Sequence, residues 1–374
     1  GNKMARIGFL SHADMSLYFF RAPIMRELKK RGHEVFAIAP KGDYSKILAR
    51  EFNSITYELD KASVNPLKVL ENSHNLARNL ADLHLDMLQT SAHKSNVFGT
   101  FAAKKAGIPV VINLVEGLGS FYIDTDLKSK IIKFVLEKLY KKAFKLSNGC
   151  IFVNDSNPDY MFSRGLISKE KIFRIKSVGV DLIKFDESKY QKLDFGGKKV
   201  VLMMGRALWH KGIREFYKAA EILKERKDCV FVFVGDIFKG NRSSADENFL
   251  KNKTVKWLGW RNDVCELYKS ADIFVLPSYK EGFPRTVLEA MAMKIPCVVS
   301  DCEGSVEAVK DGETGLICKM KNAKDLADKI TRLLDDENLA KNLAKNAYER
   351  VVKEFDERII AKKYIEVYGK FIDV

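Results

Sequence analysis

The chain is poor in the residues that build stapled or metal-bound folds: 6 cysteines, 6 histidines, 3 tryptophans and 8 prolines in 374 residues. The cysteines, at 150, 229, 265, 297, 302 and 318, include no C-x-x-C pair and fall in apolar or helical surroundings. That pattern argues against a disulfide framework and for reduced core thiols, which fits a cytosolic compartment. The histidines lack ligand spacing to those cysteines, so no zinc site is expected. No apolar run approaches the ~18 residues of a membrane span. No signal peptide opens the chain, and Gly1–Lys3 ahead of Met4 are expected to be an added leader. Two phosphate-binding signatures are missing. The first strand leads into S-H-A-D-M-S at 11–16 rather than G-x-G-x-x-G, and the P-loop order G-x-x-x-x-G-K-[ST] is absent.

What is present in excess is positive charge. The formal net charge is +15, and residues 1–185 hold 29 Lys and Arg against 18 Asp and Glu, whereas the remainder holds 35 against 31. The surplus therefore belongs to the first half and implies an anionic partner there: a membrane surface, a polyphosphate or a nucleic acid. No nucleic-acid motif accompanies it, so a basic binding protein for DNA or RNA is the distant alternative.

Short apolar runs alternate with amphipathic segments along both halves. Strands are predicted at 5–11, 34–40, 54–59, 86–90, 109–115 and 149–154, then at 199–205, 229–235, 254–258, 272–277, 296–300 and 315–318. Helices are predicted at 18–32, 43–52, 66–84, 95–107, 127–147 and 156–165. In the second half they are predicted at 212–226, 244–251, 262–269, 285–293, 304–310, 323–335, 338–353 and 356–372. The rhythm implies two α/β domains, each a parallel doubly wound sheet. The aperiodic, Gly-, Asp- and Lys-rich stretch 177–197 is read as the linker. The expected limits are 4–180, 198–355 and a last helix, 356–374, returning to the first domain; two such domains facing each other would form a ligand cleft.

The densest chemical signal is P-S-Y-K-E-G-F-P-R-T-V-L-E-A-M-A at 277–292. Glu281 follows an apolar strand in a Gly/Pro loop, and Glu289 lies two turns into the next helix. Strand carboxyl ends are where ligands bind in open α/β sheets. The amides around Gly282 and Phe283 open a helix N-terminus suited to phosphate. Two readings are open: a nucleotide-sugar site, or a helix start with a dipole-favoured Glu281 and a surface Glu289. A second strand ends in Gly205-Arg206 and reaches Lys211-Gly212 before a helix. An Arg fork and a Lys point charge there suit a diphosphate, or are ordinary surface cations.

Taken together, R-G-H-E-V at 31–35, S-V-G-V-D…F at 177–185, G-R…H-K-G at 205–212, the E-x7-E segment and D-G-E-T-G-L-I at 311–317 resemble the retaining glycosyltransferases of family 4, over nearly the whole length. The resemblance implies the GT-B fold, with two Rossmann-like domains across a cleft. S-A-H-K-S-N, L-V-E-G-L-G-S-F-Y-I-D and R-A-L-W-H-K-G are closest to the bacterial branch that moves GalNAc from UDP-GalNAc to a polyprenyl-diphosphate-linked sugar in protein N-glycosylation. By that resemblance Arg206 and Lys211 hold the UDP diphosphate and Glu289 the ribose. Glu281 meets the donor sugar, with Gly282, Phe283 and Pro284 alongside, although Pro284 has no N–H to give. Trp260, in W-L-G-W-R at 257–261, is either a uracil partner or a packed aromatic. The implied chemistry stabilises charge on the departing diphosphate with cations, so no cofactor and no metal are expected.

Where many family members have His-Gly after the 109–115 strand, this chain has V-E-G-L-G-S. Glu116 is a candidate for orienting a hydroxyl or accepting the acceptor's proton, or a loop acid held by amides. His93 is the other candidate catalytic group, or a structural donor at a helix start. His12, Ser16 and Arg21 are candidates for the acceptor diphosphate, with N-capping by Asp14 or Ser16 as the plain alternative. Asp124-Thr125-Asp126 reads as helix capping rather than as a metal motif.

The helix 127–147 carries seven lysines against one glutamate. At about 100° per residue, Ile132, Val135, Leu136, Leu139, Tyr140 and Ala143 share one face. Lys130, Lys133, Lys138, Lys141 and Lys145 oppose it, with Ile131, Phe134 and Phe144 among them. The mixture suits an anionic bilayer surface, or a core-covering helix with a basic back. A lipid-linked acceptor favours the former, which implies a peripheral protein on the inner face of the bacterial cytoplasmic membrane. The open alternatives are another UDP-sugar donor or a lipopolysaccharide acceptor.

Overall fold

In the segment Val110–Val115 all six side chains are buried. A short β-branched run hidden on both faces is the mark of a strand inside a covered parallel sheet. The computed structural model describes residues 3–58, 66–119 and 122–374; the end of the expected strand 54–59 and Ser120-Phe121 lie outside them. The chain divides into two compact units: 1–178 with 358–374, and 179–357.

The first unit holds β1 (Arg6–Leu10), β2 (Glu34–Ala39), β3 (Asn53–Thr56), β4 (Met87–Ser91), β5 (Val110–Val115), β6 (Gly149–Phe152) and β7 (Ile172–Arg174). All are parallel, in the order β3-β2-β1-β4-β5-β6-β7. The second holds β8 (Lys199–Met204), β9 (Cys229–Val234), β10 (Val255–Trp257), β11 (Ile273–Leu276), β12 (Cys297–Ser300) and β13 (Leu316–Cys318), in the order β10-β9-β8-β11-β12-β13. In each sheet the chain winds outward from the first strand, then returns to its other side. The switch points, β1/β4 and β8/β11, leave a crevice at the strands' carboxyl ends.

Strand positions follow the sequence expectation within one or two residues except β3, expected at 54–59, which ends at Thr56; β7, only three residues long, carries too little pattern to read. The expected helix 18–32 differs. It starts at Asp14, widens to a π-helical turn over Leu17–Arg21 and continues as Ala22–Lys30. Pro23 explains the widening: it has no N–H for the preceding turn, and its ring crowds the carbonyl four residues back. The stretch 177–197 is not a free linker but part of the second unit. Phe185 is buried edge-on to Tyr268, with ring centroids 5.9 Å apart, and Leu193 N–H donates to Ser270 Oγ at 2.7 Å. Residues 358–374 pack in the first unit, where Tyr368 is fully buried edge-on to Phe9.

All six cysteines are free and buried. Among the described residues no helix is long and apolar enough to cross a membrane. Helix Leu127–Leu146 is capped by Asp126, whose carboxylate accepts from Ser129 N–H at 3.3 Å. Leu136, Leu139, Tyr140 and Ala143 turn to the core as expected, and three other residues of the wheel do not follow it. Phe144, placed above among the lysines, is buried and stacks on Tyr140 with centroids 5.0 Å apart. Ile132 and Val135, placed on the core face, are exposed. Burying that aromatic pair together with Glu137, which takes Tyr160 O–H and Arg164, turns the apolar residues of the first half outward.

Candidate functional site

The cation loop after β8 and the acid loop after β11 meet because glycine lets them. Gly212 has φ +85°, and any Cβ there would overlap the Pro277 carbonyl. The backbones are also tied by Tyr279 N–H donating to the His210 carbonyl at 2.8 Å. Lys211 is thereby held against Glu281: Nζ lies 2.8 Å from Oε1, and Ser278 Oγ donates to the same oxygen at 2.7 Å. On the far side, Glu281 N–H donates to the Glu303 carbonyl at 3.0 Å, and Gly304 packs so closely that a Cβ would overlap the Glu281 carbonyl. Glu281 is therefore a fixed carboxylate with a built-in counter-ion.

Arg206 lies over the Phe238 ring, 5.3 Å from its centroid. That platform restricts a long side chain at the strand's end. Glu289, in helix Arg285–Ala292, is not the solvated acid of the plain alternative. It accepts from Tyr268 O–H at 2.8 Å, and Tyr268 is fully buried. Burial pushes the Glu289 carboxyl above its usual range, against the pull of the Tyr268 hydrogen bond and of Arg285 and Lys184. Phe283 is a core ring edge-on to Phe355 rather than a ligand face. Pro284 is buried at the helix N-cap, so the contribution of this segment is backbone from Gly282 and Phe283. Trp260 is 72% exposed, so it is not the packed aromatic of the plain alternative. Ser278, Tyr268 and Phe238 were missed in the sequence: none stands at a motif position that names its partner.

In the first unit the candidates follow adjacent strands: His12 after β1, His93 after β4, Glu116 after β5. Arg21 and Glu116, 95 residues apart, form an ion pair. Burial works against the Arg21 charge, but Glu116 and the tyrosines Tyr364 and Tyr368 outweigh it and raise its pKa. Tyr364, also missed in the sequence, comes from the returning helix Glu357–Tyr368. The Glu116 carbonyl takes Asn157 Nδ2–H at 3.4 Å. His93 has both ring nitrogens engaged, Nδ1 with Tyr140 OH at 2.6 Å and Nε2 with the Leu118 carbonyl at 2.9 Å. Burial lowers its pKa. Its place in this network fits a structural group better than a proton carrier.

His12 lines a cavity of about 300 Å³ with Asp14, Lys41 and Tyr44. Asp14 does not cap the first helix; it accepts from Met15 N–H at 2.8 Å and from Tyr44 N–H at 2.7 Å, joining the two loops that wall the cavity. Ser16 is half-buried in the first helical turn and makes no side-chain cap either.

Residues 6–151 match the family model described as glycosyl transferase 4-like, and residues 184–350 match that of glycosyl transferases group 1. The chain is 49% identical over 377 residues to the N,N'-diacetylbacillosaminyl-diphospho-undecaprenol alpha-1,3-N-acetylgalactosaminyltransferase of Campylobacter jejuni, covering 98% of this chain and 99% of that one. It is 26% identical to the Escherichia coli UDP-Gal:alpha-D-GlcNAc-diphosphoundecaprenol alpha-1,3-galactosyltransferase, covering 94% and 95%. Among solved structures, a Rickettsia africae glycosyltransferase superposes with TM-score 0.80 at 22% identity, covering 99% of each chain. An Anabaena protein in complex with UDP and glucose superposes with TM-score 0.79 at 17% identity, covering 98% and 100%. The fold is GT-B.

The Tyr268–Glu289 contact gives a titration test. The tyrosine O–H stabilises the ionised carboxylate, so Tyr268→Phe leaves burial less opposed and moves the Glu289 pKa further up. A carboxyl-carbon NMR titration of Glu289 reads this; an unchanged or lower midpoint contradicts the assignment.

Proposed function

This chain belongs to the group 1 glycosyltransferases, and from that membership we propose that it transfers GalNAc from UDP-GalNAc to undecaprenyl-diphospho-N,N'-diacetylbacillosamine, forming an α1,3 bond with retention at the anomeric carbon. The observation that carries this is the 49% identity, across 98% of the chain, to the Campylobacter jejuni transferase of that specificity.

In this reading the second unit binds the donor. Glu289 accepts from the ribose hydroxyls, while Arg206 and Lys211 face the diphosphate. Lys211 leaves Glu281 in part as the diphosphate arrives, which frees a carboxylate oxygen for donor sugar hydroxyls. As the anomeric bond breaks, charge accumulates on the departing diphosphate, and cations fixed beforehand stabilise it without reorganising. Those cations do the work that a metal ion does elsewhere, so turnover is expected to survive chelation. The backbone at Gly282 and Phe283 and the exposed Trp260 ring complete the donor side, the latter against uracil. The first unit takes the acceptor: His12, Ser16 and Arg21 lie towards its diphosphate, and Glu116 towards its reacting hydroxyl. A galactose donor is the second reading, suggested by the Escherichia coli relative.

From the same acceptor we infer a position at the cytoplasmic face of the inner membrane, and helix Leu127–Leu146 is the surface we assign to it. Its outward side starts apolar, with exposed Leu127, Ile131, Phe134 and Val135, and ends basic, with exposed Lys138, Lys141, Lys142 and Lys145. Apolar side chains among lysines fit the boundary between acyl chains and anionic headgroups.

Purified protein given UDP-GalNAc and the lipid-linked acceptor is expected to release UDP, with or without EDTA, and Lys211→Ala to lower kcat about 10²-fold or more. Turnover with UDP-GlcNAc or UDP-Gal but not UDP-GalNAc would overturn the donor assignment and leave the family intact. Replacing Lys138, Lys141, Lys142 and Lys145 by Gln is expected to weaken binding to phosphatidylglycerol vesicles by about 10²- to 10³-fold, at roughly 1 kcal/mol for each lysine. Undiminished vesicle binding refutes the membrane role of this helix.

A further inference from the structure

Behind the Glu116 loop lies a buried polar chain whose proton positions can be worked out. Two backbone carbonyls, which only accept, set its ends. Asn96 lies 2.8 Å from the Leu114 carbonyl through Nδ2, so that atom is the amide nitrogen. His93 lies 2.9 Å from the Leu118 carbonyl through Nε2, so Nε2 carries a proton. Asn96 Nδ2 also donates to Tyr140 OH, at 3.2 Å. The tyrosine, having accepted from Asn96, donates its own proton to His93 Nδ1, at 2.6 Å. The orientation of Asn96 is fixed a second time, because Thr90 Oγ1 donates to its Oδ1 at 2.7 Å while accepting from Asn113 Nδ2 at 2.7 Å. Every member is consistent with one state, a neutral imidazole protonated at Nε2.

The far end of this chain, Leu118, is buried in the core of the first unit but flanked by glycines. Leu118 stands between Gly117 and Gly119, the latter with φ +87°, in the turn that begins at Glu116. Glycines on both sides give the backbone wide freedom here, so the packed Leu118 side chain and a held carbonyl together set its course.

We propose that His93 is a positioning residue for the transfer reaction, whose Nε2–H fixes the Leu118 carbonyl and through it the Glu116 carboxylate, and that Tyr140 holds His93 for this task. The proposal rests on the reading of Glu116 as an acceptor-side group. It gives helix Leu127–Leu146 a second role, because the face opposite its exposed lysines supplies the tyrosine that sets the loop. A charge on His12 would also oppose protonation of His93.

Two experiments on the whole protein test it. Nitrogen-15 NMR of the histidine rings is expected to find His93 as the Nε2–H tautomer throughout about pH 5.5 to 8, the range in which an ordinary imidazole titrates. Titration within that range, or an Nδ1–H tautomer, overturns the proposal without any variant having to fold. Kinetics then separate positioning from chemistry. Gln at 93 offers an N–H near the Nε2 position; Ala offers nothing. His93→Ala is expected to lower kcat about 10²-fold, the loss typical of a misplaced catalytic group, with KM for UDP-GalNAc unchanged. His93→Gln is expected to recover most of that loss, and Tyr140→Phe to fall between. If His93→Gln is as impaired as His93→Ala, the ring acts in chemistry and the proposal fails. If His93→Ala keeps full kcat while Glu116→Gln loses it, the positioning idea fails alone. If Glu116→Gln keeps full kcat, the Glu116 reading fails and takes the proposal with it.

Discussion

The Lys211–Glu281 ion pair is the contact on which the proposed donor side depends. It joins the loops that follow β8 and β11, the two strands at the switch point of the second sheet. The approach is so close that Gly212 tolerates no side chain, and Gly304, after β12, is pressed as closely against the Glu281 backbone. A half-buried pair of this kind adds little to stability, because desolvation offsets the attraction. Its value is that both charges are already in place, each with a partner to exchange, before a ligand arrives. In the proposed function a phosphate competes for the lysine and sugar hydroxyls compete for the carboxylate.

The first unit repeats the arrangement with different chemistry. Arg21 and Glu116 pair behind the carboxyl ends of β1 and β5, and the returning helix sets Tyr364 and Tyr368 beside the arginine. Here the carboxylate is the more exposed partner and the arginine is buried, so Glu116 is the ion of the pair more open to solvent. The glycines around Leu118 give the backbone carrying Glu116 little stiffness of its own, and in the proposed positioning role the Asn96–Tyr140–His93 chain adds to the hold of the buried Leu118 side chain.

The parallel sheets were legible in the sequence because runs such as V-V-I-N-L-V are apolar on both faces and regularly spaced. Glu281 and Lys211 were legible as separate signals, but their contact was not, since it depends on two glycine-backed loops 70 residues apart. Arg21 and Glu116 were likewise singled out one by one, for different duties. His93 was read with chemistry in mind; its partners come from residues 118 and 140, which no local pattern connects to it. The expected face of helix Leu127–Leu146 holds at Leu136, Leu139, Tyr140 and Ala143 but not at Ile132, Val135 and Phe144, because the fold buries the stacked Tyr140 and Phe144 and a charged Glu137. The segment 177–197 looked like a linker because it packs without periodic secondary structure.

If Lys211 is shared between Glu281 and the donor diphosphate, then removing the acid's charge should release the lysine to the ligand. Calorimetric titration of UDP into Glu281→Gln tests this most directly. The ion-pair account predicts that UDP binds the variant at least as tightly as the wild type. Binding weakened in Glu281→Gln as much as in Lys211→Ala would contradict it, and would mean that the carboxylate holds the lysine in place rather than waiting to be displaced.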